Sequence, residues 1–585
     1  MKTHGRLLWL DGTEAAPDAD PPRIATPAYW GVRTAPYVTI KVKRLFPRAN
    51  PYRDGTIALA DTTEVARDLE WLMERYPLEA DEALRARLHE RAEEHRRTER
   101  EVHAILTGER AHFVFREPAR PARDYQLTAA DLVLETGQLL LADVVGLGKT
   151  MSALLILREE RALPALVVCP THLPKQWVEE LAISLPWLKA HIVRKMAPYD
   201  PASHREMKGH TPDVLVVPYS KLRTWGDFLA GQVNTVIFDE VQDLRKRGSA
   251  KWMAAATVAD KAAYRVGLTA TPVYNYAGEI HSIYEVLAPG ALGTREEFVR
   301  EWGGAAVRQS MDGDNVSVRD PAALGLYLRS EGLMLRRTRK DVGRELPTEP
   351  MLIPVTIDTD EDLLERLSGD VIDLADLIVQ KTSPGIQMMQ MRGELDWRLR
   401  RATGVAKAAY VADFVDGIVE TEEQVVLFGW HRDVYTIWER KLAGHHPVFY
   451  TGTESPAQKQ RARDAFLDGE ARVLCMSLRS GSGLDGLQKA SHIAVFGELD
   501  WSPGIHVQCV GRLDRDGQEE PVLAYFLVSE GGSDPVVAEV LNIKRMQSEP
   551  LIDPDAPLLA PIADPGDRVL KLAEYVLRKR RRNKP

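Results

Sequence analysis

The sequence predicts an α/β protein with two parallel-sheet lobes, helical insertions and an amino-terminal accessory module. Two series of short apolar runs carry this prediction, one between about residues 116 and 290 and the other between about 404 and 545. In both series strand-like runs such as PALVVCP, NTVIFDE and ARVLCMS alternate with helix-like runs. Such alternation is typical of parallel sheets with crossover helices, which place ligand sites at the carboxyl ends of the strands.

Shifts in composition divide the 585 residues into six segments. An accessory module that binds nucleic acid or a protein partner is expected first, and the two lobes are separated by mainly helical segments. The predicted segments are an accessory module at 1–115, a first lobe at 116–290, a helical protrusion and Arg-rich joint at 291–347, a helical insertion at 348–403, a second lobe at 404–548, and a Pro-rich linker with a short helix and basic tail at 549–585.

Within the accessory module, the alternating residues YVTIKV at 37–42 predict a strand. The basic, aromatic-containing segment KRLFPRANPYR follows at 43–53. It has two interpretations, a grip on a nucleic-acid backbone or a solvated turn beside an ordinary core. From Thr62 to Leu106 the densely charged pattern predicts a pair of solvent-facing helices.

The composition limits the classes of protein to be considered. With 76 Lys and Arg against 85 Asp and Glu, the net charge is −9, so a nucleic-acid partner must be bound by local basic patches. The three cysteines, Cys169, Cys475 and Cys509, are too far apart for a disulfide framework or a CxxC zinc ribbon, which favours a reducing, intracellular and cytoplasmic setting. We find no membrane-length apolar run and no convincing metal-binding cluster among the 15 histidines, and therefore expect no membrane partner and no nuclease site.

The segment LLLADVVGLGKTMSALLIL at 139–157 has the pattern of a phosphate-binding loop. After an apolar strand, Gly146 and Gly148 permit a tight loop whose amides point inward. Lys149 is placed to reach the terminal phosphates of a nucleotide, and Thr150 opens a helix from which it binds magnesium. We therefore predict that these four residues hold ATP with Mg²⁺.

A second pattern, VIFDEVQDL at 236–244, is an apolar strand that ends in two carboxylates. Asp239 is predicted to hold the magnesium ion, and Glu240 to orient or deprotonate the water that attacks the γ-phosphate. An Asp-Glu pair at a strand end is by itself common. Because this pair follows the glycine loop by about 90 residues within one lobe, we interpret it as a hydrolytic pair.

The second lobe contains QCVGRLDRDGQ at 508–518, in which Arg512 and Arg515 are three residues apart. On one helical turn they would share a face, and two guanidinium groups so placed stabilise negative charge on a γ-phosphate. The alternative is a surface Asp-Arg pair, because Asp514 and Asp516 adjoin them. We assign both arginines as catalytic, because an ATPase built from two lobes requires arginines from the far lobe.

Several segments between about residues 120 and 545 together resemble superfamily-two helicases, and within them the Swi/Snf-like DNA-dependent ATPases. The segment MLRRTRKDVGRELP at 334–347 is similar to the Arg-rich joint that separates the lobes in that family. The other similar segments are LADVVGLGKT at 141–150, VVCPTHLPKQWVEEL at 167–181, LTATPVYNYAGEIHSIYEVLAPG at 268–290, FGWHRDV at 428–434, SLRSGSGLDGLQKASH at 477–492 and ELDWSPGIHVQCVGRLDRDGQ at 498–518. The last of these is nearest to the fork-remodelling and annealing-helicase branch.

The resemblance implies two RecA-like lobes that bind ATP and Mg²⁺ between them and DNA, duplex or forked, across them. Gln126 is similar to the family's adenine-reading glutamine. Lys407 and the basic cluster at 336–340 are further candidates for DNA contacts. The residues that the resemblance assigns to DNA binding are Thr171, Ser477, Arg479 and Trp501, of which Trp501 would also help to couple the lobes.

The chain departs from the family pattern at several positions. Asp143 stands where phosphate loops usually begin with a glycine, and Val144 stands where the family usually has an acidic residue. The box at 239–242 reads DEVQ rather than Asp-Glu-Ala-His, and Asp514 stands where a histidine is usual. None of these departures removes the lysine, the two acids or the two arginines.

The sequence thus predicts an ATP-dependent translocase of double-stranded DNA, in which ATP hydrolysis between the lobes drives movement along the duplex. A strand-separating DNA or RNA helicase is the alternative within enzymes, because lobes of this kind support either activity. A nucleotide-gated scaffold without productive hydrolysis is a further alternative from another class.

Overall fold

A computed structural model describes residues 3–12, 28–273, 278–303, 318–343, 350–369, 371–380, 385–421, 424–479, 484, 486–515, 517–539, 541 and 572–578. The chain begins with an antiparallel sheet in the order β1-β2-β4-β3, covered by helices. Its elements are β1 (Gly5–Leu10), β2 (Tyr29–Thr34), α1 (Pro36–Leu45), β3 (Asn50–Pro51), β4 (Ile57–Ala60), α2 (Thr63–Arg75) and α3 (Glu82–Thr107).

The strand expected at 37–42 is wrong, because these residues lie in helix α1. Pro36 occupies the first turn of the helix, where its missing N–H is not needed. Val38 and Val42 are buried four residues apart, while Ile40 between them is 57% exposed. This burial has the spacing of a helix face and not of a strand.

Part of the basic segment at 43–53 packs within the protein, whereas four of its basic and aromatic residues are exposed, namely Lys43, Arg44, Tyr52 and Arg53. Phe46 is buried in the core of the antiparallel sheet. The Arg48 guanidinium pairs with Glu301 at 2.5 Å and donates to the carbonyl of Ala291 at 2.9 Å. Arg48 thus joins the amino-terminal sheet to the segment 291–301, and for the exposed residues the choice between a nucleic-acid contact and a solvated turn stays open.

The first parallel sheet has seven strands in the order β11-β5-β10-β9-β6-β8-β7. Its central strands are buried on both faces, as continuous apolar runs such as ALVVC predict. The elements of this lobe are α4 (Asp124–Thr136), β5 (Gln138–Leu141), α5 (Lys149–Ile156), β6 (Ala165–Cys169), α6 (Pro174–Ser184), β7 (Ala190–Ile192), β8 (Val214–Pro218), α7 (Tyr219–Leu229), β9 (Thr235–Asp239), α8 (Ala250–Asp260), β10 (Tyr264–Leu268), α9 (Glu279–Leu287), α10 (Arg295–Trp302), α11 (Pro321–Ser330) and β11 (Met334–Leu335).

The second parallel sheet has six strands in the order β12-β17-β16-β13-β15-β14. Its elements are β12 (Met351–Ile357), α12 (Glu361–Leu367), α13 (Val371–Gln380), α14 (Gly385–Thr421), β13 (Val425–Gly429), α15 (Arg432–Lys441), β14 (Val448–Tyr450), α16 (Pro456–Leu467), β15 (Val473–Ser477), β16 (Ile493–Phe496), α17 (Pro503–Val510) and β17 (Leu523–Ser529). The two parallel sheets, each flanked by helices, confirm the predicted α/β class with two lobes.

Two segments expected to be helical each contribute a strand. Strand β11, within 291–347, pairs with β5 and so completes the first sheet. Strand β12, within 348–403, pairs in parallel with β17 along its whole length. It is an edge strand whose residues are exposed or half-buried and include Pro354, and its pattern therefore lacks the continuous apolar run of the central strands. The separation of the chain into six domains stays a prediction.

Of the segment 549–585, the structure describes only residues 572–578, which are helical. Leu572 and Ala573 are buried against the second-lobe core. The predicted Pro-rich linker and basic tail lie outside the described residues. Among the helices that the structure describes, none is long and apolar enough to cross a membrane.

Candidate nucleotide site and nucleic-acid interface

The phosphate-binding loop lies between β5 and α5, at the carboxyl edge of the first sheet. Gly146 and Gly148 have φ angles of 90° and 75°, in the left-handed region that favours glycine. A Cβ on Gly148 would lie 2.5 Å from Nε2 of Gln126. The loop therefore has the glycine-dependent geometry that the sequence predicts, and Thr150 follows as the second residue of α5.

Lys149 points back across this loop. Its Nζ donates hydrogen bonds to the carbonyl oxygens of Asp143, at 2.7 Å, and Val144, at 3.3 Å. Desolvation lowers the pKa of Lys149 to about 8, against the opposing attraction of Asp143 and Glu240. A desolvated ammonium group that contacts only carbonyl oxygens is well placed to bind the phosphates of a nucleotide.

Gln126 lies beside the loop, in the first turn of α4. Its Nε2 donates to the carbonyl of Leu147 at 3.1 Å, and the hydroxyl of Tyr125 donates to the same carbonyl at 3.1 Å. Its Oε1 accepts from the backbone N–H of Arg123. The structure therefore brings the predicted adenine-reading residue to the phosphate loop, although its amide is engaged by that loop.

Asp143 is fully buried and replaces the usual first glycine of the loop. Both of its carboxylate oxygens accept from the Arg337 side chain, at 3.1 and 2.6 Å, and Oδ1 also accepts from the Arg337 backbone N–H. Arg337 Nη1 reaches the carbonyl of Tyr125 as well. The departure from the pattern thus fixes the phosphate loop to the Arg-rich joint through a buried, bidentate ion pair.

Asp239 ends strand β9, and Glu240 follows in a left-handed conformation with φ 53°. The Trp177 indole N–H donates to Asp239 at 2.8 Å. Desolvation and the adjacent Glu240 raise the pKa of Asp239, and Lys149 only partly opposes this. A divalent cation would offset the repulsion between these two carboxylates. Asp239 and Glu240 therefore fit the donor set that magnesium prefers.

Arg512 brings a buried cation from the second lobe. Its side chain is 6% exposed, and its Nη1 has no hydrogen-bond partner among the described residues. Desolvation lowers its pKa to about 10, although Cys509 and Glu240 raise it. The interaction with Glu240 indicates that Arg512 faces the first-lobe acids. An unpartnered buried guanidinium is costly unless an anion binds to it.

Arg515 lies near Arg512, and its Nε donates to the carbonyl of Gly511 at 2.7 Å. Helix α17 ends at Val510, and both arginines therefore lie in the turn that follows the helix and not on a helical face. The expectation of a shared helical face is wrong in this respect, because Gly511 ends the helix. The turn nevertheless keeps the two guanidinium groups close enough for Arg515 to lower the pKa of Arg512.

Two side-chain contacts join the lobes at this site. Arg339 of the joint pairs with Asp514 at 2.6 Å and also donates to the carbonyl of Val145 in the phosphate loop. Gln508 of α17 lies 3.4 Å from Glu240 and 3.5 Å from the hydroxyl of Thr271. The second departure from the family pattern, Asp514, therefore also contacts an arginine of the joint.

The residues predicted to contact DNA are not all equally accessible. Thr171 is exposed in the loop after β6. Arg479 is 53% exposed, pairs with Asp500 at 2.8 Å and lies over the Trp430 ring at 5.1 Å. By contrast, Ser477 is buried at the end of β15 and interacts with the Tyr435 hydroxyl. Thr171 and Arg479 thus offer surface to a ligand, and Ser477 offers little.

Trp501 is also buried, and its indole N–H donates to Asp396 at 2.7 Å. It lines an open cleft of about 640 Å³ between the lobes, together with Glu240 and Gln508. The exposed Trp397 and Arg479 line the same cleft. The cleft thus connects the acidic pair of the first lobe with an aromatic and basic surface of the second.

The structure does not support Lys407 as a DNA contact. Lys407 is fully buried, pairs with Asp534 at 2.6 Å and donates to the carbonyl of Leu527 at 2.8 Å. In the basic cluster at 336–340, Arg336 donates to backbone carbonyls of the first lobe, and only Lys340 is exposed. Lys407 and Arg336 thus make contacts within the protein, and Lys340 alone of this cluster is exposed.

Sequence reasoning missed the residues whose role depends on a distant partner. Arg337 and Arg339 were recognised only as members of a basic joint, and Gln508 was not singled out. The pairs with Asp143 and Asp514 join residues 194 and 175 positions apart. One signal was available for these partners. Asp143 and Asp514 each replace the residue that the family usually has, close to a motif that otherwise follows the family pattern.

Comparison with known families gives a direct match. Residues 66–358, half of the chain, match the family described as the SNF2-related domain. The chain belongs to the SNF2-related family. This match covers the first parallel sheet, the joint and the first strand of the second sheet.

Two curated relatives extend the similarity of this SNF2-related protein. It is 26% identical over 424 residues to the DNA annealing helicase and endonuclease ZRANB3 of Mus musculus, covering 70% of this chain and 38% of that protein. It is 27% identical over 473 residues to the uncharacterized ATP-dependent helicase YqhH of Bacillus subtilis, covering 72% and 77%. The chain therefore spans well under half the length of the mouse relative.

Among solved structures, the Sulfolobus solfataricus SWI2/SNF2 ATPase core in complex with double-stranded DNA is similar at 20% identity, with a TM-score of 0.36. The alignment covers 80% of this chain and 99% of that one.

Proposed function

We propose that this SNF2-related protein is an ATP-dependent translocase of double-stranded DNA, which hydrolyses ATP to ADP and phosphate in the cleft between its lobes. The observation that carries the proposal is the meeting of Lys149, Asp239 and Glu240 of the first lobe with the buried Arg512 of the second, whose Nη1 has no hydrogen-bond partner among the described residues. Membership of the SNF2-related family supports it. So does the similarity to a protein named an ATP-dependent helicase.

In this mechanism the first lobe binds and positions the nucleotide. The phosphate loop cradles the phosphates with its backbone N–H groups, and Lys149 exchanges its contacts with Asp143 and Val144 for the terminal phosphates. Gln126, released from Leu147, reads the adenine ring. Thr150 and Asp239 would hold a magnesium ion, which neutralises charge on the β- and γ-phosphates when it is bound.

Glu240 orients the attacking water and accepts its proton. Gln242, which donates to Glu240 at 2.5 Å, holds that carboxylate in place. Arg512 and Arg515 stabilise the charge that develops on the γ-phosphate. Hydrolysis therefore requires both lobes in contact, and loss of the phosphate weakens that contact.

Movement follows from the opening and closing of the cleft. Each lobe offers a surface to the DNA backbone, Thr171 on the first and Arg479 on the second. Because Arg479 pairs with Asp500 and stacks on Trp430, a DNA phosphate must compete with Asp500 for the guanidinium. Each lobe binds the DNA backbone with a different strength in the open and closed states. The cycle of opening and closing therefore moves the protein along one strand of the duplex.

The decisive experiment is ATP turnover by the full chain, titrated with duplex, forked and single-stranded DNA and with RNA. Stimulation by duplex DNA is expected, together with displacement of a triplex-forming strand without separation of a plain duplex. Separation of the duplex would favour the strand-separating helicase. Turnover that no nucleic acid changes would contradict the translocase and favour the nucleotide-gated scaffold.

A second test concerns the backbone grip. The affinity for duplex DNA is expected to fall steeply with salt, with log K changing by about −0.9 per log salt for every phosphate contact. Arg479→Ala should reduce this slope by about 1, because it removes one phosphate contact. Arg440→Ala, on the exposed face of α15, is the matched control and should leave the slope unchanged. Equal slopes for wild type and Arg479→Ala would remove Arg479 from the interface.

A further inference from the structure

A cluster of metal-ligating side chains lies far from the cleft, at the opposite edge of the first sheet. His191 is the middle residue of strand β7, and His204 and Glu206 lie in the long connection from β7 to β8. One ligand atom from each of the three side chains lies within 4.8 Å of the other two. Four strands separate β7 from β5, which carries the phosphate loop, and the cluster is therefore distinct from the nucleotide site.

We propose that His191, His204 and Glu206 form a binding site for a divalent transition-metal ion of the zinc class. This goes beyond the proposed ATPase, because none of the three residues takes part in nucleotide or DNA binding there. Two imidazoles and one carboxylate are a donor set of zinc sites, in which water fills the fourth position. Magnesium and calcium prefer oxygen ligands, and the histidines therefore select against them.

His191 supplies the strongest observation. It is 1% exposed, and its Nδ1 is buried without a hydrogen-bond partner among the described residues. Its Nε2 lies 2.8 Å from the Tyr199 hydroxyl. A ligating histidine commonly has its second ring nitrogen bonded to a protein group, which fixes the ring. Tyr199 provides such a group, and an ion at Nδ1 would satisfy a polar atom that otherwise costs stability.

Cationic side chains lie beside the cluster. Arg205 and Lys208 lie near in sequence, and Arg194 faces the cluster directly. The Arg194 guanidinium donates to one oxygen of Glu206 at 2.7 Å, and the other oxygen lies on the side of His204.

The geometry is close to a coordination shell. The second oxygen of Glu206 lies 3.7 Å from Nδ1 of His204. Two ligand atoms about 2.0–2.1 Å from a tetrahedral ion lie roughly 3.3 Å apart. A small side-chain movement would therefore bring these two atoms to the separation that a shared ion requires. The ring centroids of His191 and His204 are 4.7 Å apart. Closure therefore needs rotation of the half-buried His204 and the exposed Glu206 side chains and not movement of the sheet.

Metal binding would immobilise the connection between β7 and β8. The start of this connection is held to α7, because Lys221 and Trp225 donate to its carbonyl oxygens, whereas Arg205, Glu206 and Lys208 further along are exposed. An ion held by one residue of the strand and two of the connection would fix that segment to the sheet edge. The expected role is therefore structural, and its loss leaves the nucleotide site intact.

The test uses the full chain, freed of metal by a chelator, and Zn²⁺ titrated without nucleotide. One equivalent of zinc should bind and protect the 193–213 segment from limited proteolysis, and Co²⁺ should give the visible absorption of a tetrahedral site. His204→Ala and Glu206→Gln should each weaken zinc binding at least tenfold. His210→Ala, an exposed histidine in the same connection, is the matched control and should bind as wild type does.

Three outcomes would overturn the site. The first is a wild-type chain that binds no stoichiometric zinc. The second is zinc affinity that is equal in wild type, His204→Ala and Glu206→Gln. The third is an equal loss of affinity in His210→Ala. Because Glu206 is exposed, Glu206→Gln is expected to fold, and the test therefore does not depend on a variant of the buried His191. ATP turnover is measured in parallel and should not follow zinc occupancy.

Discussion

The two halves of the proposed nucleotide site differ in how far their polar side-chain atoms find hydrogen-bond partners within the protein. In the first lobe, Lys149 has two carbonyl partners and Asp239 has the Trp177 indole. In the second lobe, Arg512 is equally desolvated, yet its Nη1 has no hydrogen-bond partner among the described residues. In the mechanism proposed above, the first half would therefore be organised before the nucleotide binds, and the nucleotide would complete the second half. This difference would leave binding chiefly to the first lobe and the response to nucleotide chiefly to the second.

The largest effects are expected in the organised half. Lys149→Ala and Glu240→Gln should each reduce DNA-stimulated hydrolysis by about 10³-fold, since one removes the phosphate-binding cation and the other the general base. Lys149→Ala should also lose nucleotide affinity, whereas Glu240→Gln should keep it. Steady-state turnover and fluorescent-nucleotide binding measure the two quantities. Lys261→Ala, at an exposed lysine of the same lobe, serves as the control.

The Arg512→Ala variant tests the difference between the two halves of the nucleotide site from the side of the second lobe. We expect a loss of roughly 10²- to 10³-fold in kcat with a much smaller change in nucleotide affinity, because the arginine acts on charge that develops in the transition state. Unfolding temperatures should show that the variant is folded, since removing a desolvated cation leaves no unpaired charge. If Arg512→Ala lost nucleotide affinity as Lys149→Ala does, the division of labour between the lobes would be wrong.

Gly148→Ala probes the organisation of the first half. Its Cβ would lie 2.5 Å from Gln126 Nε2, and the amide must therefore leave its place beside the loop. We expect KM for ATP to rise about tenfold through misplacement of the loop. Gly231→Ala is matched to it, because Gly231 has φ 76° and no atom within 4 Å of its Cβ position. Equal KM values in the two variants would show that the contact with Gln126 does not hold the loop in place.

The contact between the halves should give the smallest effect. Arg339→Glu or Asp514→Arg should each change the DNA-stimulated rate by about three- to fivefold, since the pair is partly exposed and one of several contacts between the lobes. The double variant Arg339→Glu, Asp514→Arg should recover much of the loss, and a double-mutant cycle measures the coupling. Additive effects of the two substitutions would mean that the ion pair does not couple the lobes.

Local patterns made the first half of the site predictable from the sequence. The strand, glycine loop and helix around Lys149 are contiguous, and so is the strand that ends in Asp239 and Glu240. The wrong prediction of a strand at 37–42 had another cause. The spacing of Val38 and Val42 fits one face of a strand as well as one face of a helix. Strand β12 was missed because an exposed edge strand lacks the continuous apolar run of a buried one.

Features that depend on distant pairing could not be predicted. The partners of Asp143 and Asp514 lie in the joint, and no spacing rule connects them. The cluster of His191, His204 and Glu206 was overlooked because its spacing matches no known ligand motif. Only the register of β7 beside β8 and the course of the connection between them bring the three side chains together.

The bond between Asp143 and Arg337 has a consequence for how the chain can be divided. A fragment cut at residue 290 would contain every residue of the first lobe that is proposed to bind nucleotide, but it would lack strand β11 and leave the buried Asp143 carboxylate without its Arg337 partner. During synthesis, the ribosome must likewise release the chain beyond Arg337 before this lobe can reach its native state. The joint is thus the last piece of the first lobe's architecture as well as the beginning of the second.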